Sequence, residues 1–213
     1  MPRPGDPPTL RIDPDAPHSW REALEEAAAR LDAGEIVLLP AEGLYGYHVR
    51  ADRTAGIERL HALKPRRAGK GWILLLEDPA SLERWDVTLP ARALALARRH
   101  WPGPLTIALP ASASIPEALR AADGSAAVRC PGNPFLLAVV RAAGGLVVST
   151  SANQPGEDPP ARLEDAARSG TALAVDAGPL SGLPSTVVAV DGGTIRVLRV
   201  GAVRLADLGG DQT

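Results

Sequence analysis

Short apolar runs of strand length keep recurring between longer stretches with helical periodicity, and this alternation constrains the fold more than any other feature. Residues 35–39, 72–76, 105–109, 126–129, 146–149 and 173–175 read as buried strands, and Pro40 closes the first of them and leads into a loop through Gly46. Between and around them, residues 20–31, 54–63, 91–100, 134–143 and 161–168 read as helices. Ser19 and Glu22 have capping-box spacing ahead of the first helix, and Gly34 supplies its stop. Ile57, Leu60 and Leu63 share one side of the second, which Pro65 ends by disfavouring helical geometry at Lys64. Asn133-Pro134 reads as an N-cap followed by proline at the first helical position. Residues 186–190 and 194–198 flank Asp191-Gly192-Gly193 and read as a hairpin. Helices over short buried strands, with a terminal hairpin, predict an α/β fold: a single domain with a twisted, mixed β-sheet flanked by helices. The first 18 residues carry six prolines and little periodicity, so residues 1–18 are expected to be an irregular lead-in to a domain at 19–208.

At 213 residues the chain can bury one substantial core without disulfides or metals. The single cysteine, Cys130, cannot form an intrachain disulfide, and no leader of basic, apolar and cleavage segments opens the sequence, so a cytoplasmic location is expected. Purely apolar runs such as Ile73 to Leu76 fall far short of the roughly 20 residues that cross a bilayer, so no membrane role is expected. A net charge of −2 argues against coating nucleic acid through the overall field, yet a local basic patch can still hold an anion.

Such a patch is Lys64-Pro-Arg66-Arg67-Ala-Gly-Lys70, four cations in seven residues between a helix and a strand. Arg presents a planar fork to phosphate oxygens and Lys a point charge, so the loop suits a polyphosphate, although a charge run can equally be a solvated face. Ser149-Thr150-Ser151-Ala152-Asn153 places small hydroxyl and amide side chains at the carboxyl end of a buried strand, where ligands bind in open α/β sheets and where turns also form. Arg129 ends another strand and calls for a partner, either a structural carboxylate or a bound anion. Phosphate-loop, dinucleotide and nucleophile-elbow signatures are absent, and the four histidines have no metal-ligand spacing. Cys130 reads as a small buried hydrophobe.

Taken in order, six segments resemble the YrdC-like family of threonylcarbamoyl-AMP synthases. They are Pro40-Ala-Glu-Gly-Leu-Tyr-Gly46, Lys64-x-Arg66, Trp101-Pro-Gly-Pro-Leu-Thr106, Ala127-Val-Arg129, Ser149-Thr-Ser-Ala-Asn153, and Ser185-Thr-Val-Val188 with Arg199. The resemblance runs from about Trp20 to Val203 and implies a concave, positively charged surface where ATP and L-threonine meet. It implies nucleotide-site roles for Arg66, Lys70, Ser125, Ser151 and Arg199, with Lys64 and Asn153 completing their motifs and Lys64 and Arg66 closest to the chemistry. It implies threonine-site roles for Arg129, Ser149 and Ser185. Gly43 stands where the family often has threonine and Leu75 where it often has histidine; Ala41 and Arg67 also depart, a pattern closer to short-form members that lack an additional domain.

The implied reaction joins threonine to bicarbonate or CO2 as a carbamate, whose oxygen attacks the α-phosphorus of ATP and expels pyrophosphate. Cations and hydroxyls suffice for it, because positioning and charge stabilisation dominate transfers at phosphorus. Mg2+ is expected with the ATP phosphates, with no metal site built by the protein itself. The implied partners are threonylcarbamoyl-transfer proteins acting on tRNA, with possible tRNA or double-stranded RNA contact. Two alternatives share these residues: a non-catalytic RNA-binding module, which the scarcity of aromatics disfavours, and an enzyme that adenylates a different carbamate.

Overall fold

The computed structural model describes residues 5–65, 71–154, 156–191 and 194–208. In chain order the elements are β1 (Thr9–Arg11), α1 (Arg21–Asp32), β2 (Val37–Pro40), β3 (Tyr45–Arg50), α2 (Thr54–Leu63), β4 (Ile73–Leu76) and α3 (Ala91–His100). There follow β5 (Leu105–Pro110), β6 (Ser125–Arg129), α4 (Pro134–Ala142), β7 (Leu146–Ser151), β8 (Leu173–Asp176), β9 (Thr186–Asp191) and β10 (Thr194–Arg199). The strands form one mixed sheet in the order β1-β8-β2-β3-β7-β4-β6-β5-β9-β10, with helices on both faces.

Strand alternation sorts the side chains into two cores. On one face Tyr45, Tyr47 and Val49 of β3, Val148 of β7, Leu74 of β4 and Ile107 of β5 pack with Ile57 and Leu60 of α2 and Leu96 of α3. On the other, Val37 and Leu39 of β2, Leu75 of β4 and Val147 of β7 meet α1 and α4. Ala23, Ala27 and Leu31 recur at intervals of four along α1, and Phe135, Leu136, Val139 and Val140 form the matching stripe of α4. Burying each large aliphatic side chain in these stripes stabilises the fold by roughly 1.5–3 kcal/mol. α4 begins as its sequence predicts: Asn133 Oδ1 accepts from Leu136 N at 3.0 Å, and Pro134 is the first helical residue. Asn133 Nδ2 also donates to Ala41 O at 2.9 Å, which ties the start of α4 to the loop after β2.

Four expectations need correction. Residues 9–11, assigned to the lead-in, form β1 and pair in parallel with β8; Pro7 and Pro8 are tolerated beside them because β1 is an edge strand. The Ser19–Glu22 capping box does not form: α1 grows out of a 3-10 turn at Pro17–Trp20, and the Ser19 hydroxyl instead accepts from Asp13 N at 3.2 Å. Residues 161–168 are not a helix but contain one 3-10 turn, Leu163–Asp165, since so short a span repays helix nucleation poorly and instead buries Leu163 and Ala166 in the first core. The segment through Gly46 is not all loop, because β3 starts at Tyr45 and pairs with both β2 and β7. The hairpin of β9 and β10 is antiparallel as expected; its central glycines, 192 and 193, lie outside the described residues.

Candidate active site

α1 and α4 roof only part of their sheet face, and beyond their edge the same face opens into a cavity of about 430 Å³. β7 crosses that edge. Val147 is sealed beneath the helices, whereas Ser149 and Ser151, two and four residues further along the same face, line the cavity with Arg129 of β6.

One wall is a polar knot. Lys64 follows the last residue of α2, and its Nζ donates to the Ser151 carbonyl, to Ser151 Oγ at 3.0 Å and to Asn153 Oδ1 at 2.9 Å. Ser151 Oγ donates to the same Asn153 oxygen at 2.6 Å. Asn153 Nδ2 faces away and donates to the carbonyls of Gln154 and Glu157 at 3.1 and 2.7 Å. The end of β7, the end of α2 and the loop after Asn153 are thus held as one unit, with an ammonium at the cavity wall.

The opposite wall carries two arginines. Arg129 is only 4% exposed, its Nη1 lies 3.8 Å from Glu42 Oε1, and among the described residues its Nε has no hydrogen-bond partner. Burial lowers its pKa, with Glu42 opposing and Arg199 adding to the effect, yet a guanidinium keeps its charge in a protein. Glu42 is itself committed, accepting from Gly132 N at 2.6 Å. Arg199, at the end of β10, donates through Nε and Nη2 to the Ser185 carbonyl at 3.0 and 2.9 Å and through Nη2 to Ser185 Oγ at 2.9 Å. Ser185 Oγ also meets Thr106 Oγ1 at 2.8 Å. Among the described residues Arg199 has no carboxylate partner, and burial lowers its pKa. Two nearby cations with so little countercharge, in a half-enclosed cavity, favour an anionic ligand.

Lys64, Arg129, Ser149, Ser151, Ser185 and Arg199 therefore share one cavity, with Asn153 bound to two of them. Ser125 is not brought there: it opens β6 at the end away from Arg129, and its hydroxyl donates to Asp123 Oδ1 at 2.6 Å. Arg66 and Lys70 lie outside the described residues. Leu75 shares the cavity's sheet face but is sealed in the core under α4. Gly43 has a packing reason, because a Cβ there would overlap Leu183 O and Ser181 Oγ and stand 2.9 Å from Leu183 N. Two residues were missed from sequence: Glu42, and His48, whose Nε2 lies 3.2 Å from Ser149 Oγ. Alternation in Tyr45-Gly-Tyr-His-Val-Arg50 was the available signal for His48, since it puts the two tyrosines and Val49 on one face and His48 on the other.

Residues 29–201 match the model of the Sua5/YciO/YrdC family, whose description reads telomere recombination. The chain belongs to this family. It is 36% identical over 191 residues to the threonylcarbamoyl-AMP synthase of Alkalilimnicola ehrlichii, covering 89% of this chain and 94% of that one. It is also 36% identical over 169 residues to that of Chromohalobacter salexigens, covering 78% and 91%. P. abyssi Sua5 complexed with L-threonine is similar with a TM-score of 0.83 at 26% identity, over 94% of this chain and 59% of that one. This family member thus spans less than two thirds of that longer protein. E. coli YciO shares the fold with a TM-score of 0.85 at 22% identity, over 95% of this chain and 99% of that one.

Proposed function

We propose that this chain is a threonylcarbamoyl-AMP synthase, a nucleotidyltransferase that makes threonylcarbamoyl-AMP and pyrophosphate from ATP, L-threonine and bicarbonate or CO2. The observation that carries this reading is Arg129: a buried guanidinium with an unpartnered Nε, opening onto the same cavity as the Lys64–Ser151–Asn153 knot. A substrate carboxylate would supply the charge-assisted bonds that Glu42 at 3.8 Å does not. The threonine complex of P. abyssi Sua5 and the relatives' names favour this over an RNA-binding module.

In this reading Arg129 holds the threonine carboxylate, with Ser149 and Ser185 beside it. The neutral amine adds to CO2 with loss of a proton, or to bicarbonate with loss of water, and gives a carbamate. A carbamate oxygen then bonds to the α-phosphorus as the bond to the β-phosphate bridging oxygen breaks, and pyrophosphate leaves with that electron pair. Lys64, Ser151, Asn153 and Arg199 are assigned to the nucleotide, together with Arg66 and Lys70 from the sequence resemblance. Fixed cations and hydroxyl dipoles stabilise the charge developing on the phosphoryl oxygens, and no covalent enzyme intermediate is required. Mg2+ is assigned to the triphosphate, whose oxygens are its usual ligands. The product would pass to threonylcarbamoyl-transfer proteins acting on tRNA. Among the described residues no helix is long and apolar enough to cross a membrane.

Mass spectrometry of reactions containing ATP, L-threonine and bicarbonate, each omitted in turn, tests the proposal. Threonylcarbamoyl-AMP should form only in the complete mixture; its absence there, or a different aminoacyl carbamate formed in preference, would overturn the assignment.

A further inference from the structure

β3 and β7 pair antiparallel with His48 opposite Ser149, and their side chains meet on the sheet face that opens into the cavity. His48 is 0% exposed, and among the described residues its Nδ1 has no hydrogen-bond partner. A polar ring at a strand position flanked by buried valines and tyrosines costs more desolvation than an aliphatic residue would, and the bond at Nε2, with the Gly46 and Val37 carbonyls near the ring, offsets only part of that cost. Packing alone therefore does not account for histidine at this place. What the ring does do is hold the hydroxyl of Ser149.

We propose that His48 is a positioning residue for amino-acid recognition, fixing the Ser149 hydroxyl so that its free side faces the substrate beside Arg129. The role presupposes that Arg129 and Ser149 hold threonine, as proposed above. A serine hydroxyl without a partner rotates among three staggered wells. Whichever ring nitrogen carries the proton, Nε2 occupies one hydrogen-bonding direction of Ser149 Oγ and leaves the others for a ligand. Burial first, and Arg129 second, push His48 down to about 3, with the carbonyls of Gly46 and Val37 opposing, so at neutral pH the ring adds no further cation beside Arg129 and Arg199. Gly46 keeps this part of the sheet clear: a Cβ there would stand 2.8 Å from Thr150 O and 3.3 Å from His48 Cε1.

The test is a double-mutant cycle on pyrophosphate release by the full chain, with threonine and ATP varied separately and a melting curve for every variant. His48→Leu should raise the threonine KM by about tenfold, the order expected for one buried hydrogen bond, and leave the ATP KM within about twofold. His48→Gln, which can still reach Ser149, should recover much of the loss. In a Ser149→Ala background His48→Leu should have no further effect. An equal penalty in both backgrounds, or a parallel rise in both KM values, would contradict the positioning role. If His48→Leu does not fold, His48→Asn, too short to reach Ser149, completes the same cycle. Failure of the underlying assignment looks different: the wild type itself would release no threonine-dependent pyrophosphate, and both proposals would fall.

Discussion

One sheet face does two jobs, and the contrast between its halves explains the molecule. Under α1 and α4 it carries Val37, Leu39, Leu75 and Val147, all essentially inaccessible to water. Two and four residues past Val147, outside the helices, the same face carries Ser149 and Ser151, and one strand beyond Leu75, in register with it, it carries Arg129 at the cavity wall. The strands and their pairing are continuous across the boundary, so what changes is the side-chain chemistry and the absence of a roof. The lesson is that the roofed half supplies stability and, through rigid strands, fixes the polar groups of the open half.

The largest expected effect separates the two halves. Leu31→Ala, in the roofed half, should cost about 2–5 kcal/mol in denaturant unfolding, as buried leucine truncations do, and leave the threonine and ATP KM values of the folded fraction unchanged. A KM shift without loss of stability would mean that the halves are not separable in this way. At the rim, Gly43→Ala should destabilise by about 1–3 kcal/mol, because the loop at 181–183 must move to admit the new methyl, and should also change kinetics, since Leu183 and Ser185 line the cavity. An unchanged melting temperature would contradict that packing.

A smaller effect lies at the boundary itself. His48 titrates near 6.5 when unfolded but is pushed down to about 3 when folded. Above pH 6.5 it is neutral in both states; as pH falls toward 3 the unfolded chain takes up a proton that the folded one refuses, so stability is lost across that window. The slope from this group is at most about 1.4 kcal/mol per pH unit. His48→Gln should flatten the decline in melting temperature between pH 6.5 and 5, and an identical slope in both proteins would exclude His48 as a source.

Much of this was legible in the sequence. α2 and α3 matched at both ends, and the Asn133 cap declared α4. Lys64, Ser151 and Asn153 meet although Lys64 and Asn153 are 89 positions apart, which spacing could not reveal and the ordered resemblance did. What stayed hidden was long-range. β1 is three residues long and exists because β8 offers an edge, and β3 has Gly46 as its second residue, so neither declares itself by local propensity. Glu42 and His48 looked ordinary until partners from distant strands were placed against them. Ser125 shows the reverse: a position the resemblance assigned to the nucleotide, whose hydroxyl the fold turns toward Asp123.

The central claim is that the open half of this sheet face binds threonine and nucleotide for adenylation, and pyrophosphate release tests it most directly. Rates should be compared for wild type, Lys64→Ala and Arg129→Met, with threonine and bicarbonate present or omitted. The account predicts release only with both co-substrates, a fall of about 100-fold or more in Lys64→Ala, equivalent to about 2.7 kcal/mol of transition-state stabilisation, and a threonine KM raised most in Arg129→Met. Release that ignores threonine, or that survives intact in both folded variants, would contradict it.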